Sequence, residues 1–243
     1  MRILLIRHGD PDYINDTLTE TGRIEAQSLA NYITERKIDY CYVSPLGRAV
    51  ATAEYSLKAL NMEAETLEWM REFAPRISLP DVNKETQVAW DWLPTQWMNN
   101  ERFYDKDNWW DCDIFNKAKV KEEAEWVYEG LDTLLKKHGY ERDGNYYKAV
   151  RANDDTIALF CHFGLSCVVL GHLIGASPMV LWHGMCSAPT SVTTIYTEER
   201  RAGVASFRMS EFGDVSHLIR DGLKPSFSGR FCELNSNENE RHD

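Results

Sequence analysis

Two uninterrupted apolar runs, Ile3-Leu4-Leu5-Ile6 and Ile157-Ala158-Leu159-Phe160, constrain this chain more than any other feature. A strand with no polar position has no face to offer to water, so each run belongs inside a sheet covered by helices on both sides. Both runs empty into polar turns: Arg7-His8-Gly9 after the first, Cys161-His162-Phe163-Gly164 after the second. Open α/β sheets bind ligands outside the carboxyl ends of their strands. An Arg-His pair delivered there by four apolar residues is costly to desolvate unless an anion shares the site.

Helical and extended patterns alternate along the rest of the chain. Thr19 caps a helix whose buried stripe is Ala26, Leu29, Ala30 and Ile33, at spacings of three and four. Asp39 to Val43 reads as a strand. Ser44-Pro45 then marks a helix start, Ser as cap and Pro as first residue, with Val50, Ala53, Leu57 and Leu60 facing inward and Arg48 in the first turn. A further helix runs from Val120 to about Lys137, with Val120, Ala124, Val127, Leu131 and Leu134 on one face. After the second apolar run and a helix through Leu173, strands Ser191 to Thr197 and Gly203 to Met209 flank a polar turn at Glu198 to Arg201. The implied class is α/β: a three-layer α/β/α sandwich around a mixed, mostly parallel sheet. One domain over residues 1–233 holds this pattern, and residues 234–243 read as a polar tail that frays.

The stretch 75–117 breaks the alternation and reads as an insertion. It carries Trp90, Trp92, Trp97, Trp109 and Trp110 with Phe103 and Tyr104 among many Asp and Asn. A segment this long is a functional lid unless it holds small helices of its own. Filling a minor core accounts for most of these aromatics, since small substructures need the area that such rings bury. As a lid, it would line a pocket mouth with Trp90, Trp92 and Trp97.

Composition removes several function classes. The 243 residues carry a formal net charge of −11, which is no footprint for nucleic acid, so any anionic ligand must be held by local cations against the global field. No apolar stretch approaches a membrane span, and the amino terminus reads as a core strand with no basic n-region, so a cytoplasmic protein without a membrane partner is expected. The six cysteines sit apart with no CxxC spacing, which fits reduced thiols. Neither they nor His162, His172 and His183 have the spacing of a metal site, and no metal or cofactor is expected. Oligomeric state is left open.

Six segments then occur in a telling order: Arg7-His8-Gly9, Leu18-Thr19-Glu20-Thr21-Gly22 with Glu25-Ala26, Ser44-Pro45-Leu46-Gly47-Arg48-Ala49, Arg71-Glu72-Phe73, Cys161-His162-Phe163-Gly164, and Asp214-Val215-Ser216-His217-Leu218. Together they resemble the histidine phosphatase superfamily, the fold shared by cofactor-dependent phosphoglycerate mutases and many small phosphatases. The resemblance implies that His8 is phosphorylated, that Arg7 and Arg48 bind the phosphate, that His162 is the second histidine, and that Glu72 donates the proton. The residue types suit that chemistry. Guanidinium forks bind phosphoryl oxygens bidentately, and their charges hold a neighbouring imidazole neutral and nucleophilic. A carboxylic acid can protonate the leaving oxygen and later take a proton from water.

Where this chain departs from the family, it does so near the substrate. Asp10 stands where Glu or Gln is common; it is a candidate substrate contact, although before Pro11 the reading as a turn former is favoured. Only Asp10 to Thr17 separate the signature from Leu18, whereas the mutases carry a longer stretch that helps bind their substrate. The expected activity is therefore hydrolysis of a small phosphorylated metabolite, with mutase-type transfer second, and a non-catalytic phospholigand binder or an interaction module after that. The insertion's acids, Asp91, Glu101, Asp105, Asp107, Asp111 and Asp113, are expected to repel polyanions and favour a monoester with an apolar or aromatic leaving group.

Overall fold

The structure, a computed structural model, describes residues 1–80, 85–228 and 230–242; residues 81–84 of the insertion, residue 229 and the last residue of the tail lie outside them. The chain opens with β1 (Arg2–Arg7), a small ribbon of β2 (Pro11–Asp12) and β3 (Thr17–Leu18), and α1 (Glu20–Ile33). It continues through β4 (Tyr40–Val43), α2 (Gly47–Leu60) and β5 (Ala64–Thr66). The insertion follows, with a ribbon of β6 (Arg76–Ile77) and β7 (Gln87–Val88) and two short helices, α3 (Pro94–Trp97) and α4 (Asp113–Lys117). Then come α5 (Val120–Lys137), β8 (Tyr140–Asp143), β9 (Tyr146–Ala149), β10 (Thr156–Cys161), α6 (Phe163–Ile174) and α7 (Pro178–Gly184). A long hairpin of β11 (Val192–Arg201) and β12 (Val204–Asp214) leads to α8 (Ser216–Arg220).

The central sheet has eight strands in the order β5-β4-β10-β1-β11-β12-β9-β8. Pairings from β5 to β1 are parallel, and every pairing beyond β1 is antiparallel. The sheet is thus mixed, with only β11 and β9 running against the rest. Alternation along the buried strands divides the core in two. Leu4, Ile6, Cys41, Val43, Ala158 and Phe160 meet Leu29 and Ile33 of α1 and Ala49 and Ala53 of α2. On the opposite face Ile3, Leu5, Tyr42, Ile157 and Leu159 meet α5 and α6 through Val127, Leu131, Val168 and Leu170. Helices cover both faces because neither apolar run leaves a face for water.

Several boundaries differ from the sequence reading. Helix α2 begins at Gly47 rather than Pro45, because the Ser44 hydroxyl bonds His162 and the first turn is capped from elsewhere in the chain by Asp16. Its fully buried face is Ala49, Thr52, Ala53 and Ser56, with Val50, Leu57 and Leu60 only partly buried beside it. Residues 198–201 belong to β11, and the hairpin turns instead at Ala202-Gly203, where Gly203 has φ 78°. The β8–β9 hairpin went unread, although Asp143-Gly144 is a strong turn signal and Gly144 sits at φ 61°. In the tail, the Arg241 carbonyl accepts the Cys232 N–H at 2.8 Å, and the Arg241 guanidinium reaches Asp91 at 3.5 Å.

The insertion does hold its own elements, and its aromatics are mostly core. Trp92, Trp97, Phe103, Trp109 and Phe115 are buried in one cluster continuous with the sheet's residues. Trp92 packs edge-on against Phe103 and Phe115, each at 5.3 Å between ring centres.

Candidate active site

The parallel register sets Arg7 of β1 opposite Cys161 of β10, so the residues that follow, His8 and His162, leave the sheet side by side. The His8 N–H donates to the Cys161 carbonyl at 3.0 Å, and the two imidazoles stand 5.1 Å apart, centre to centre. Both are buried, at 2 % and 0 % exposure. A carbonyl can only accept, so the 2.8 Å bond between His8 Nδ1 and the Gly9 carbonyl puts the proton on Nδ1 and leaves the lone pair on Nε2. Burial first, then the charge of Arg7, hold the His8 pKa well below the ordinary histidine value; Arg48 adds to this. Burial depresses His162 in the same way, aided by His8, Arg48 and Arg7.

His162 precedes α6 and bonds the Ser44 hydroxyl through Nε2 at 2.8 Å. The Leu46 N–H also donates to that hydroxyl oxygen; when the Ser44 proton is given to Nε2, the histidine's own proton sits on Nδ1. Nδ1 is buried without a hydrogen-bond partner among the described residues. A buried donor of this kind is costly unless a ligand meets it. Arg7 and Arg48 share the property, for the Nε of each is buried and unpartnered. The Arg7 Nη1 is anchored on the carbonyls of Ser187, at 2.5 Å, and Ser228, at 3.3 Å. The Arg48 Nη1 meets Asp16 at 2.7 Å, while the other oxygen of Asp16 accepts the Gly47 N–H at 2.7 Å. Two anchored guanidiniums with spare inward donors make a site for an oxyanion.

Glu72 is half-buried. Its Oε1 accepts the N–H groups of Phe73, at 2.8 Å, and Leu165, at 3.0 Å. With Oε1 held as acceptor, Oε2 is the oxygen that carries a proton. Burial raises the carboxyl pKa, opposed by the Leu165 N–H, the Arg48 charge, the Phe73 N–H and Arg7. Gly164 packs against this group: a Cβ there would lie 2.5 Å from Trp90 Nε1 and 2.8 Å from Glu72 Oε1.

Arg7, Arg48 and Glu72 open onto a cavity of about 1360 Å³, whose walls include Trp90, Trp92 and Trp97. Asp10 is not part of those walls. Its carboxylate accepts the hydroxyls of Thr19 at 2.7 Å and Ser226 at 2.6 Å, tying the start of α1 to the C-terminal segment. None of the insertion's six acids lines the cavity directly, but Asp91 reaches Arg241 of the lining at 3.5 Å. His172 bonds Asp132 at 3.0 Å, remote from this cavity's lining, whereas His183 belongs to the lining. Among the described residues, no group of three or more His, Cys, Asp or Glu is placed to hold a metal ion.

Three supporting residues escaped the sequence reading: Ser44, Asp16 and Thr190. Thr190 is fully buried at φ 57°, a strained conformation for a β-branched residue. Its N–H donates to the His8 carbonyl at 3.2 Å, and its hydroxyl oxygen lies 3.0 Å from Nε2 of buried His217. No local pattern announces any of these three, since each acts through a residue far away in the sequence.

Likeness to known proteins follows the same outline. No curated protein matches the chain in sequence. Among solved structures, it is similar to a phosphoserine phosphatase from Entamoeba histolytica in complex with 3-phosphoglyceric acid, at 19 % identity and a TM-score of 0.57, over 89 % of this chain and 98 % of that one. A mycobacterial glucosyl-3-phosphoglycerate phosphatase complexed with VO3 is similar at 16 % identity and a TM-score of 0.56, over 87 % and 98 %. YhfR of Bacillus stearothermophilus follows at 21 % and 0.56, over 89 % and 98 %. At these identities the likeness speaks for the fold alone. Among the described residues no helix is long and apolar enough to cross a membrane. The model of the histidine phosphatase superfamily (branch 1) matches residues 3–209, which take in both histidine turns and both arginines, and the chain belongs to that family.

Proposed function

We propose that the protein hydrolyses a small phosphorylated metabolite, a phosphomonoester, through a phosphohistidine intermediate and without a metal ion. The observation that carries this reading is the paired turn at the ends of β1 and β10: a buried imidazole with its lone pair on Nε2, beside a second imidazole and two guanidiniums with unused inward donors. Arg7, Arg48 and His162 Nδ1 clamp the phosphoryl oxygens. The His8 Nε2 lone pair attacks phosphorus, the bond from phosphorus to the leaving oxygen breaks, and Glu72 passes its proton to that oxygen. Water then attacks the phosphohistidine, gives its proton to the Glu72 carboxylate, and releases inorganic phosphate with His8 neutral again. Charge stabilisation by fixed donors dominates such a reaction, because the uncatalysed hydrolysis is extremely slow. The structural relatives named as phosphatases support hydrolysis over a purely binding role.

The test is turnover of an aryl phosphate by purified protein in excess chelator, with acid-labile label trapped on the protein. Activity that persists with chelator and vanishes in His8→Ala is the expected result. A His8→Ala protein that keeps wild-type rates, or activity that chelator abolishes, overturns the reading.

A further inference from the structure

The phosphoryl chemistry uses one end of the cavity and leaves the other unexplained. A volume of about 1360 Å³ exceeds the ~300–1,000 Å³ typical of ligand pockets and far exceeds one phosphoryl group. Beyond Glu72 the walls are rings. Trp90 and Phe163 meet edge to face at 6.0 Å, Trp97 lies on His183 at 4.7 Å, and Trp182 stands with them.

Each arginine at that end already meets a carboxylate, and His242, also in the lining, bonds the Asn237 carbonyl through Nε2 at 2.9 Å. Arg71 bonds Glu123 at 2.8 Å, Arg230 bonds Glu233 at 2.5 Å, and Arg241 reaches Asp91 at 3.5 Å. His183 is held neutral by geometry: its Nδ1–H donates to the Met179 carbonyl at 2.7 Å, and its Nε2 accepts the Trp92 N–H at 3.3 Å. Arg7 and Arg48, at the phosphoryl end, differ in keeping buried Nε donors free of protein partners. A carboxylate or second phosphate placed among the tryptophans would lose its water and meet only arginines that already hold a carboxylate. A neutral ring there gains from burial alone.

We propose that this end of the cavity is a leaving-group subsite for an uncharged, ring-bearing alcohol or phenol, so that the phosphoryl group being transferred is the substrate's only anion. The inference rests on the phosphomonoester reading above and narrows it. Selection comes from neutral aromatic walls and paired cations, not from repulsion by the insertion's acids.

Binding to the His8→Ala protein tests the subsite whether or not the enzyme turns over. The dissociation constants of 1-naphthyl phosphate, phosphoserine, 3-phosphoglycerate and inorganic phosphate are measured by calorimetry. Naphthyl phosphate binds more tightly than the other three by about tenfold or more. In a Trp90→Leu, His8→Ala protein, checked for folding by its thermal transition, that preference shrinks severalfold. Equal or tighter binding of phosphoserine or 3-phosphoglycerate overturns the subsite, as does an aromatic preference that Trp90→Leu and Phe163→Leu both leave unchanged. A failed phosphatase reading shows itself separately, as absence of labelled His8 and of turnover in the wild-type protein.

Discussion

At the scale of single residues, the site is a set of groups whose ordinary behaviour has been removed by their surroundings. Arg48 is useful as a planar fork, anchored on Asp16 through Nη1 while its buried Nε has no partner among the described residues. Lysine keeps the charge and loses the fork, so Arg48→Lys should lower kcat/KM by the equivalent of about 2.7–4 kcal/mol, the cost of losing one transition-state donor. An unchanged kcat/KM in the folded variant would reduce Arg48 to a surface residue. His8 and Glu72 are shifted in opposite directions, His8 down and Glu72 up. Phosphorylation needs His8 neutral, so activity falls as pH drops through a value below the ordinary histidine range. It also needs Glu72 protonated, so activity falls again as pH rises through a value above the ordinary carboxylate range. Glu72→Gln should erase the alkaline limb and slow an alkyl phosphate by about 10²–10⁴-fold. In kcat/KM, which reports phosphorylation alone, p-nitrophenyl phosphate, whose leaving oxygen needs little protonation, should suffer much less, while kcat falls for both because Glu72 also takes the proton from water. Parallel pH profiles of the two substrates in both proteins check this.

At the scale of elements, the β1–β10 register brings the two histidines together, and the insertion supplies the walls of the cavity. Sequence showed that both apolar runs end in histidine turns, but not that Arg7 would sit opposite Cys161. Ser44 illustrates the limit: read locally it is a helix cap, and in the fold its hydroxyl bonds His162 Nε2 at 2.8 Å. The insertion joins two roles that looked exclusive, since Trp92 and Trp97 are at once buried core and cavity wall. Trp92→Ala should therefore cost about 3–5 kcal/mol of stability, as large-to-small changes at buried aromatics do. Chemical denaturation measures it, and a loss under 1 kcal/mol would mean that the insertion packs independently of Trp92.

At the scale of the molecule, burying neutral histidines links stability to pH. His8 and His162 lie well below 6.5, and burial brings His217 down to about 4. The unfolded chain takes up these protons first, so their contribution is complete above about pH 6.5 and is lost as pH falls toward the folded values. Glu72 and Glu25, both raised by burial, act in the opposite sense over the lower part of that window. Melting temperature should thus decline from pH 6.5 to 4, and more shallowly in His217→Gln. An equal slope in that variant would show that His217 does not contribute.

What the sequence determined alone was whatever depends on near neighbours: two fully apolar strands, the helical stripes of α1 and α5, and the polar turns that end the strands. Those patterns fix which faces must be buried, and hence the layers. The ordered motifs then carried the family and the main site residues. Tertiary structure decided everything that needed a partner distant in the chain: the Asp16 anchor of Arg48, Thr190 against His8 and His217, the engagement of Asp10 by Ser226, and the return of the tail to Asp91. The charge of the cavity wall belongs to that second class. The insertion's acids could be counted in the sequence, but only the fold decided that none lines the cavity, that Asp91 meets it through Arg241, and that several aromatic rings do line it. Hydrophobic burial is read from local periodicity, whereas hydrogen bonds and ion pairs have effects only where the fold brings both partners within reach.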